Sequence, residues 1–234
     1  MSITIRSAQT IGNGVKLTSI PPPPPMVTDG LIINLDATDY VSGDWVSSIG
    51  TSTAILTNSG NGITKISDYG GVIQNTVPGD GFSLLERTLI TGTYTYVAAM
   101  RYITEPSGAT DRIIAGAYNN WLLGNWAGRT DEYYPDGGWI SNPDGGGYDS
   151  NWHIYTGTQD TVADSYRIYD GITDVTLYPA DGNSGPDGIG IFINSVGENS
   201  RGQIGFLLIY DRVLSPSEIR QNFLHHRGRF GLWA

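Results

Sequence analysis

The chain contains no cysteine. Disulfides, thiolate metal sites and cysteine nucleophiles are therefore excluded, and the fold must stand on packing alone. Lysine is nearly missing: Lys16 and Lys65 are the only two in 234 residues. Asp and Glu outnumber Lys and Arg by 23 to 13, a formal net charge of −10. No basic stripe exists to neutralise phosphates, which argues against nucleic acid as a partner and against anionic membrane surfaces. No apolar run approaches the ~18–20 residues of a membrane-spanning helix. The first ten residues carry one basic side chain, Arg6, and no long apolar stretch, so a cleaved secretory leader is not expected.

What the chain does have is glycine, 32 of them, and aromatics, with 14 Tyr and 6 Trp. The glycines fall between short apolar runs and read as turns. That length and that punctuation suit one large all-β domain, a sandwich or a barrel, with a short appendage.

Residues 1–25 differ from the rest. Ser2 to Arg6 alternates apolar and polar side chains, with Ile3 and Ile5 on one face. Asn13-Gly14 could turn the chain back along Val15 and Leu17 as a small hairpin. Five prolines follow, Pro21 to Pro25. Such a run adopts polyproline II, a stiff spacer of about 15 Å. Residues 1–25 are therefore expected to be an assembly arm and spacer, or else a proline-rich tail, ahead of a domain over 26–234.

The domain opens with Gly30-Leu-Ile-Ile-Asn-Leu-Asp36, which puts Leu31, Ile33 and Leu35 on one face. In Thr93 to Ile103, Tyr94, Tyr96, Ala98, Met100 and Tyr102 share one face, and Val97, Ala99 and Ile103 the other. A strand apolar on both faces belongs inside a covered sheet. Further strands are expected over 112–118, 121–123, 152–158, 166–169, 173–178, 188–193 and 203–210, with Asn119-Asn120 and Asp170-Gly171 at hairpin turns. Ser215-Pro216-Ser217-Glu218 is a capping box with proline at the first helical position. The helix it starts should bury Ile219 and Phe223, carry His225 and His226 in its last turn, and end at Gly228.

Gln203 to Ile219 resembles the closing strand and helix of laminin-G-like jelly rolls. Their usual Ile-Tyr-Asn-Arg-Ala-Leu becomes Ile-Tyr-Asp-Arg-Val-Leu over 209–214, with Asp211 and Val213 as departures. Gly30 to Ala37 resembles their opening strand, and Trp152-His153 with the Asp170-Gly171 hairpin their central strand pair. The resemblance implies a concanavalin A-like, laminin-G-type sandwich of two antiparallel sheets with one short C-terminal helix. It assigns His153 to packing. The arm, the proline run and the ending Arg227-Gly-Arg-Phe-Gly-Leu232 together resemble structural proteins of tailed bacteriophages, marine cyanophages among them. That implies a virion protein, a capsid decoration, head-fibre or tail component, whose partners are other virion proteins and copies of itself.

Within the sandwich, Trp121, Trp126, Tyr133, Tyr134, Trp139 and Tyr148 crowd one glycine-rich stretch. Exposed, they would stack on sugar rings, which makes a carbohydrate-binding adhesin for host-surface glycans the alternative reading; buried, they are core or interface. No cofactor is expected. Asp136, Asp144 and Asp149 are calcium candidates, although Asp and Asn among glycines equally serve turns. The stretch 131–151 is read as a loop. The Glu-x-Asp-x-Glu strand of concanavalin-like glucanases is missing, and no Ser-His-Asp set or phosphate loop stands out, so catalysis is not expected.

Overall fold

The computed structural model describes residues 21–57, 61–84, 92–104, 112–141, 147–182, 184–194 and 197–233, with the backbone of 10–11 and 15–16. A two-stranded hairpin, β1 (Thr10–Ile11) and β2 (Val15–Lys16), comes first. The expected strand over 2–6 lies outside the described residues, as do Ile3, Ile5 and Leu17.

The sandwich strands follow in chain order. They are β3 (Leu31–Asp36), β4 (Trp45–Val46), β5 (Thr53–Thr57), β6 (Ile63–Ile66), β7 (Val72–Asn75), β8 (Gly81–Leu84) and β9 (Tyr94–Tyr102). After them come β10 (Ile114–Gly116), β11 (Trp121–Trp126), β12 (Arg129–Pro135), β13 (His153–Asp160), β14 (Ser165–Asp170), β15 (Thr173–Asp174), β16 (Ile189–Ile191) and β17 (Gly202–Tyr210). One sheet has seven strands in the order β12-β11-β10-β16-β8-β5-β4. The other has eight: β15-β14-β13-β9-β17-β7-β6, with β3 also on β17. The pairings are antiparallel. The chain is a jelly-roll sandwich closed by one short helix, α1 (Pro216–His226).

The main core lies between the sheets. Ile33 and Leu35 of β3, Tyr94, Tyr96, Ala98 and Met100 of β9, and Ile204, Leu207 and Ile209 of β17 fill it from the eight-stranded side. Phe82, Ile114, Trp121, Leu123, Tyr133, Ile189 and Ile191 meet them from the other sheet. The opposite faces of β9 and β17 make a second core: Val97, Ala99, Phe206, Leu208 and Tyr210 pack under Ile219, Phe223 and Phe230. β9 is apolar on both faces because α1 covers the outside of its sheet. A bulge at Gly205 shifts the register of β17 against β9. The missing Cβ there makes room for the tip of the Phe230 ring against the strand.

The capping box forms. Ser215 Oγ accepts from the Glu218 backbone N–H, and Glu218 accepts from the Ser215 N–H at 2.8 Å. Gly228 does not end the helical segment. A 3-10 turn continues over Arg227–Phe230, and Gly231, at φ 72°, takes the left-handed terminating position.

The proline run is seated and not free. Pro24 O meets His225 Nδ1 at 2.8 Å, and Pro25 O accepts from Gln221 Nε2 at 2.8 Å. Pro21 to Pro24 wall a groove of about 330 Å³ with Leu224, His225, Arg227 and Trp233. A free spacer would need these carbonyls in water. Here α1 presents two polar side chains to bind them, so the run straps the helix. The attachment continues inward: Val27 N donates to Asn222 Oδ1 (2.9 Å), Asn222 Nδ2 donates to Tyr210 Oη (3.0 Å), and Tyr210 Oη donates to Val27 O (2.9 Å).

Candidate functional site

The six aromatics of 121–148 separate into two populations. Trp121 and Tyr133 are 0% exposed and belong to the inter-sheet core. They cannot offer a ring face to a sugar, because Tyr94, Tyr96 and Tyr166 already cover them. Tyr148, 39% exposed, pairs with Tyr102 and stands apart from the rest.

Trp126, Tyr134 and Trp139 form a cluster of their own. Tyr133 faces the core, so Tyr134 next to it faces out from the seven-stranded sheet. Trp139 bridges the other two, with ring centroids 4.9 Å from Trp126 and 5.0 Å from Tyr134. All three rings are partly exposed. The Arg129 guanidinium sits 5.6 Å from the Trp126 ring, across the hairpin turn Ala127-Gly128. Both turn residues have positive φ, 53° and 83°, the primed geometry that suits a twisted two-residue hairpin.

Tyr134 begins a cross-strand row. It pairs with Leu122, Leu122 with Ala115, Ala115 with Gly190, and Gly190 with Ser83. This row runs over the outer face of the seven-stranded sheet, since each member alternates with core residues. The middle of the row is covered, Leu122 and Ala115 being 1% and 2% exposed, and at its far end the Ile193 carbonyl lies over Gly190. A groove of about 200 Å³ forms there, lined by Ser83, Gly190, Thr57, Ala117, Asn194 and the 51% exposed Tyr118. With strands about 4.8 Å apart, three steps put the groove floor at Gly190 roughly 14 Å from Tyr134. One sheet face thus carries aromatic rings at one end and a small-residue groove at the other.

A second constellation lies elsewhere, built from residues far apart along the chain. Segment 131–151 is not all loop: Asp131 and Glu132 are in β12, and Asp131 has φ 64°. Asp131 meets His153 of β13 and Asp170 of β14 where the two sheets come together. His153 is more than packing: its Nδ1 lies 2.9 Å from Asp170 Oδ2, and its Nε2 lies 3.2 Å from Asp149 Oδ1. Its ring stacks parallel on Tyr155 at 5.2 Å. Burial pushes the imidazole pKa down, but the bonds and charges of Asp170 and Asp149 outweigh it and hold the value at about 9. Burial and the neighbouring Asp170 charge push the Asp131 carboxyl up.

The calcium candidates do not assemble among the described residues. Asp136 accepts from Ser184 Oγ at 3.3 Å, Asp149 serves Asn151 N–H and His153, and Asp144 lies outside the described residues. His226, in the last turn of α1, is held neutral: burial, then His225, lowers its pKa to about 3.

No protein-family model and no curated protein matches this chain. Solved structures do. The chain is 17% identical to Trypanosoma rangeli sialidase in complex with the inhibitor DANA, over 89% of this chain and 36% of that one, with a TM-score of 0.64. It thus spans about a third of that sialidase. It is 16% identical to domain 4 of an extracellular GH43 arabinanase from Geobacillus stearothermophilus, in complex with arabinotriose, over 82% of this chain and 97% of that one (TM-score 0.61). It is 14% identical to the binding domain of Paraclostridial Mosquitocidal Protein 1, over 83% and 52% (TM-score 0.61). At these identities the likeness is one of fold.

Proposed function

We propose that this chain is a non-catalytic module that binds neutral oligosaccharides on the outer face of its seven-stranded sheet. The observation that carries the reading is the partly exposed Trp126–Trp139–Tyr134 cluster, which shares that face with the Ser83–Gly190–Tyr118 groove. Aromatic faces stack on the C–H faces of sugar rings, and the groove offers hydroxyl and amide groups to sugar hydroxyls. The net charge of −10 disfavours polyanionic glycans. The arabinotriose-bound arabinanase domain, matched over nearly its whole length, supports a sugar ligand for this architecture and makes linear arabino-oligosaccharides the first ligands to try. The sialidase likeness covers a third of that enzyme and supports no catalytic role here.

Titration calorimetry with neutral oligosaccharides, arabinotriose included, tests the reading. Binding should weaken at least tenfold in Trp139→Ala and in Tyr134→Ala, while Tyr148→Ala behaves as wild type. A full glycan array without a hit, or hits unaffected by both aromatic substitutions, would sink it.

A second reading places the module on a virion, attached to other virion proteins and to copies of itself by residues 1–20. The β1–β2 hairpin, separate from both sandwich sheets and joined to them through the proline strap, favours it. Deleting 1–20 should abolish incorporation into particles while 21–234 stays folded. Normal incorporation of the shortened chain would overturn it.

A further inference from the structure

We propose that Asp131, His153 and Asp170 form a site for one divalent transition-metal ion such as Zn2+, with Asp149 orienting the imidazole. Among the described residues they are the one group of this kind: a carboxylate oxygen of each Asp and a ring nitrogen of His153 lie within 4.8 Å of one another. Three strands supply them, β12 from one sheet and β13 and β14 from the other, so the ligand backbones are fixed by the sandwich. Rigid elements hold a metal geometry better than loops do.

Two features separate this set from a chance group of surface acids. The first is the nitrogen ligand and its support. His153 contacts Asp170 through Nδ1 and Asp149 through Nε2. A cation on Nδ1 replaces the proton shared with Asp170. Nε2–H then donates to Asp149, the carboxylate–histidine–metal arrangement that fixes tautomer and ring direction. The parallel stack on Tyr155 fixes the ring plane as well.

The second feature is an orphaned oxygen. Asp131 Oδ1 is shut off from solvent and accepts no hydrogen bond. The neighbouring Tyr155 hydroxyl accepts from the Asp131 backbone N–H at 3.2 Å, which leaves its own proton free. An ionised carboxylate oxygen in that state is costly unless a positive charge faces it. In the metal-free protein the His153 imidazolium is that charge; a divalent ion takes its place and also screens Asp131 from Asp170.

The ligand set selects the metal. Imidazole nitrogen with two carboxylates suits Zn2+, Mn2+ or Ni2+, whereas Ca2+ takes six to eight oxygens. Zn2+ bonds of about 2.0–2.1 Å in tetrahedral geometry put ligand atoms roughly 3.4 Å apart, so the group draws in on binding. Side-chain exposures of 29% at Asp170 and 36% at Asp149 leave a path from solvent and room for a water ligand.

Titration calorimetry of the chelator-treated full chain with ZnCl2, and separately with CaCl2, tests this. One Zn2+ should bind per chain and Ca2+ should not compete. Asp131→Asn and Asp170→Asn should each weaken Zn2+ binding at least tenfold. Asp149→Asn should weaken it about tenfold through the imidazole alone. Urea melts of the metal-free variants keep the comparison to folded protein; the Asp170 variant stands in if the Asp131 variant is unfolded. Absence of Zn2+ binding by the wild type, binding unchanged in both ligand variants, or loss of binding in His225→Ala would overturn the site.

Discussion

Arg229 grips Asp36 across 193 residues of chain. Its Nη1 lies 2.9 and 3.0 Å from the two carboxylate oxygens, and both side chains are mostly buried. Its remaining donors reach Tyr69 O (2.8 Å), Gly71 O and Gly205 O (3.1 Å). One guanidinium thus ties the C-terminal segment to the opening strand, the Asp68–Gly70 turn and the β17 bulge. The planar fork makes that possible, and a lysine cannot reproduce it. Arg229→Ala should cost about 2–4 kcal/mol, because Asp36 loses its ion pair and three carbonyls each lose one donor while remaining largely buried. Arg229→Lys should recover less than half. Chemical denaturation with an unchanged m-value would check both; a loss under 0.5 kcal/mol in the alanine variant would contradict the argument.

His226 predicts an acid limb in the stability profile. It is buried against Phe206, with ring centroids 4.0 Å apart, and its Nε2 has no partner. Its folded pKa of about 3 lies below the ordinary 6.5. The unfolded chain therefore takes up a proton that the folded chain refuses. The contribution is fully present above pH 6.5 and is lost as pH falls toward 3. Glu218, held at about 2 chiefly by its bond to Arg212 and normally at 4.5, acts in a lower window. Melting temperature should thus begin to fall between pH 6.5 and 4.5. His226→Phe, which keeps the stack on Phe206, should flatten that interval. A variant as acid-sensitive as the wild type would show that another group is responsible.

These two contacts mark where sequence reasoning stops. The alternation of β9 and the unbroken apolar run of β17 announce strands covered on both faces, and the box at Ser215–Glu218 announces the helix that covers one of them. Those features are local, and local pattern is legible. The inward or outward phase of β11 and β12 is not. It depends on the register shift at Gly124/Asn125, which decides that Trp121 and Tyr133 face the core while Tyr134 faces out. Asp131, His153 and Asp170 meet through pairings between distant segments of two sheets, and no spacing along the chain encodes that. The prolines show the converse case. Their stiffness is legible, but the Gln221 and His225 side chains that seat them are 196 and 201 residues away.

The core aromatics give a prediction that separates packing from binding. Trp121 Nε1 donates to Tyr94 Oη at 3.1 Å, and the Tyr94 and Tyr133 hydroxyls lie 2.9 Å apart. Tyr133 Oη in turn donates to Thr158 O at 3.4 Å. Tyr133 has a single proton, so Tyr94 must donate to it, and the chain runs one way from indole to carbonyl. Tyr94→Phe breaks two links at once, leaving the Trp121 N–H without an acceptor in a dry core. That should cost about 1–3 kcal/mol. Tyr133→Phe should cost less, because the indole keeps its acceptor and only the last links are lost. The double variant should cost less than the sum, since both single changes remove the same Tyr94–Tyr133 bond. Urea melts of the three variants measure this coupling. None of them should alter oligosaccharide affinity, because none touches Tyr134, Trp139 or the groove at Ser83; a weakened ligand titration in Tyr133→Phe would place the sugar between the sheets and not on the outer face.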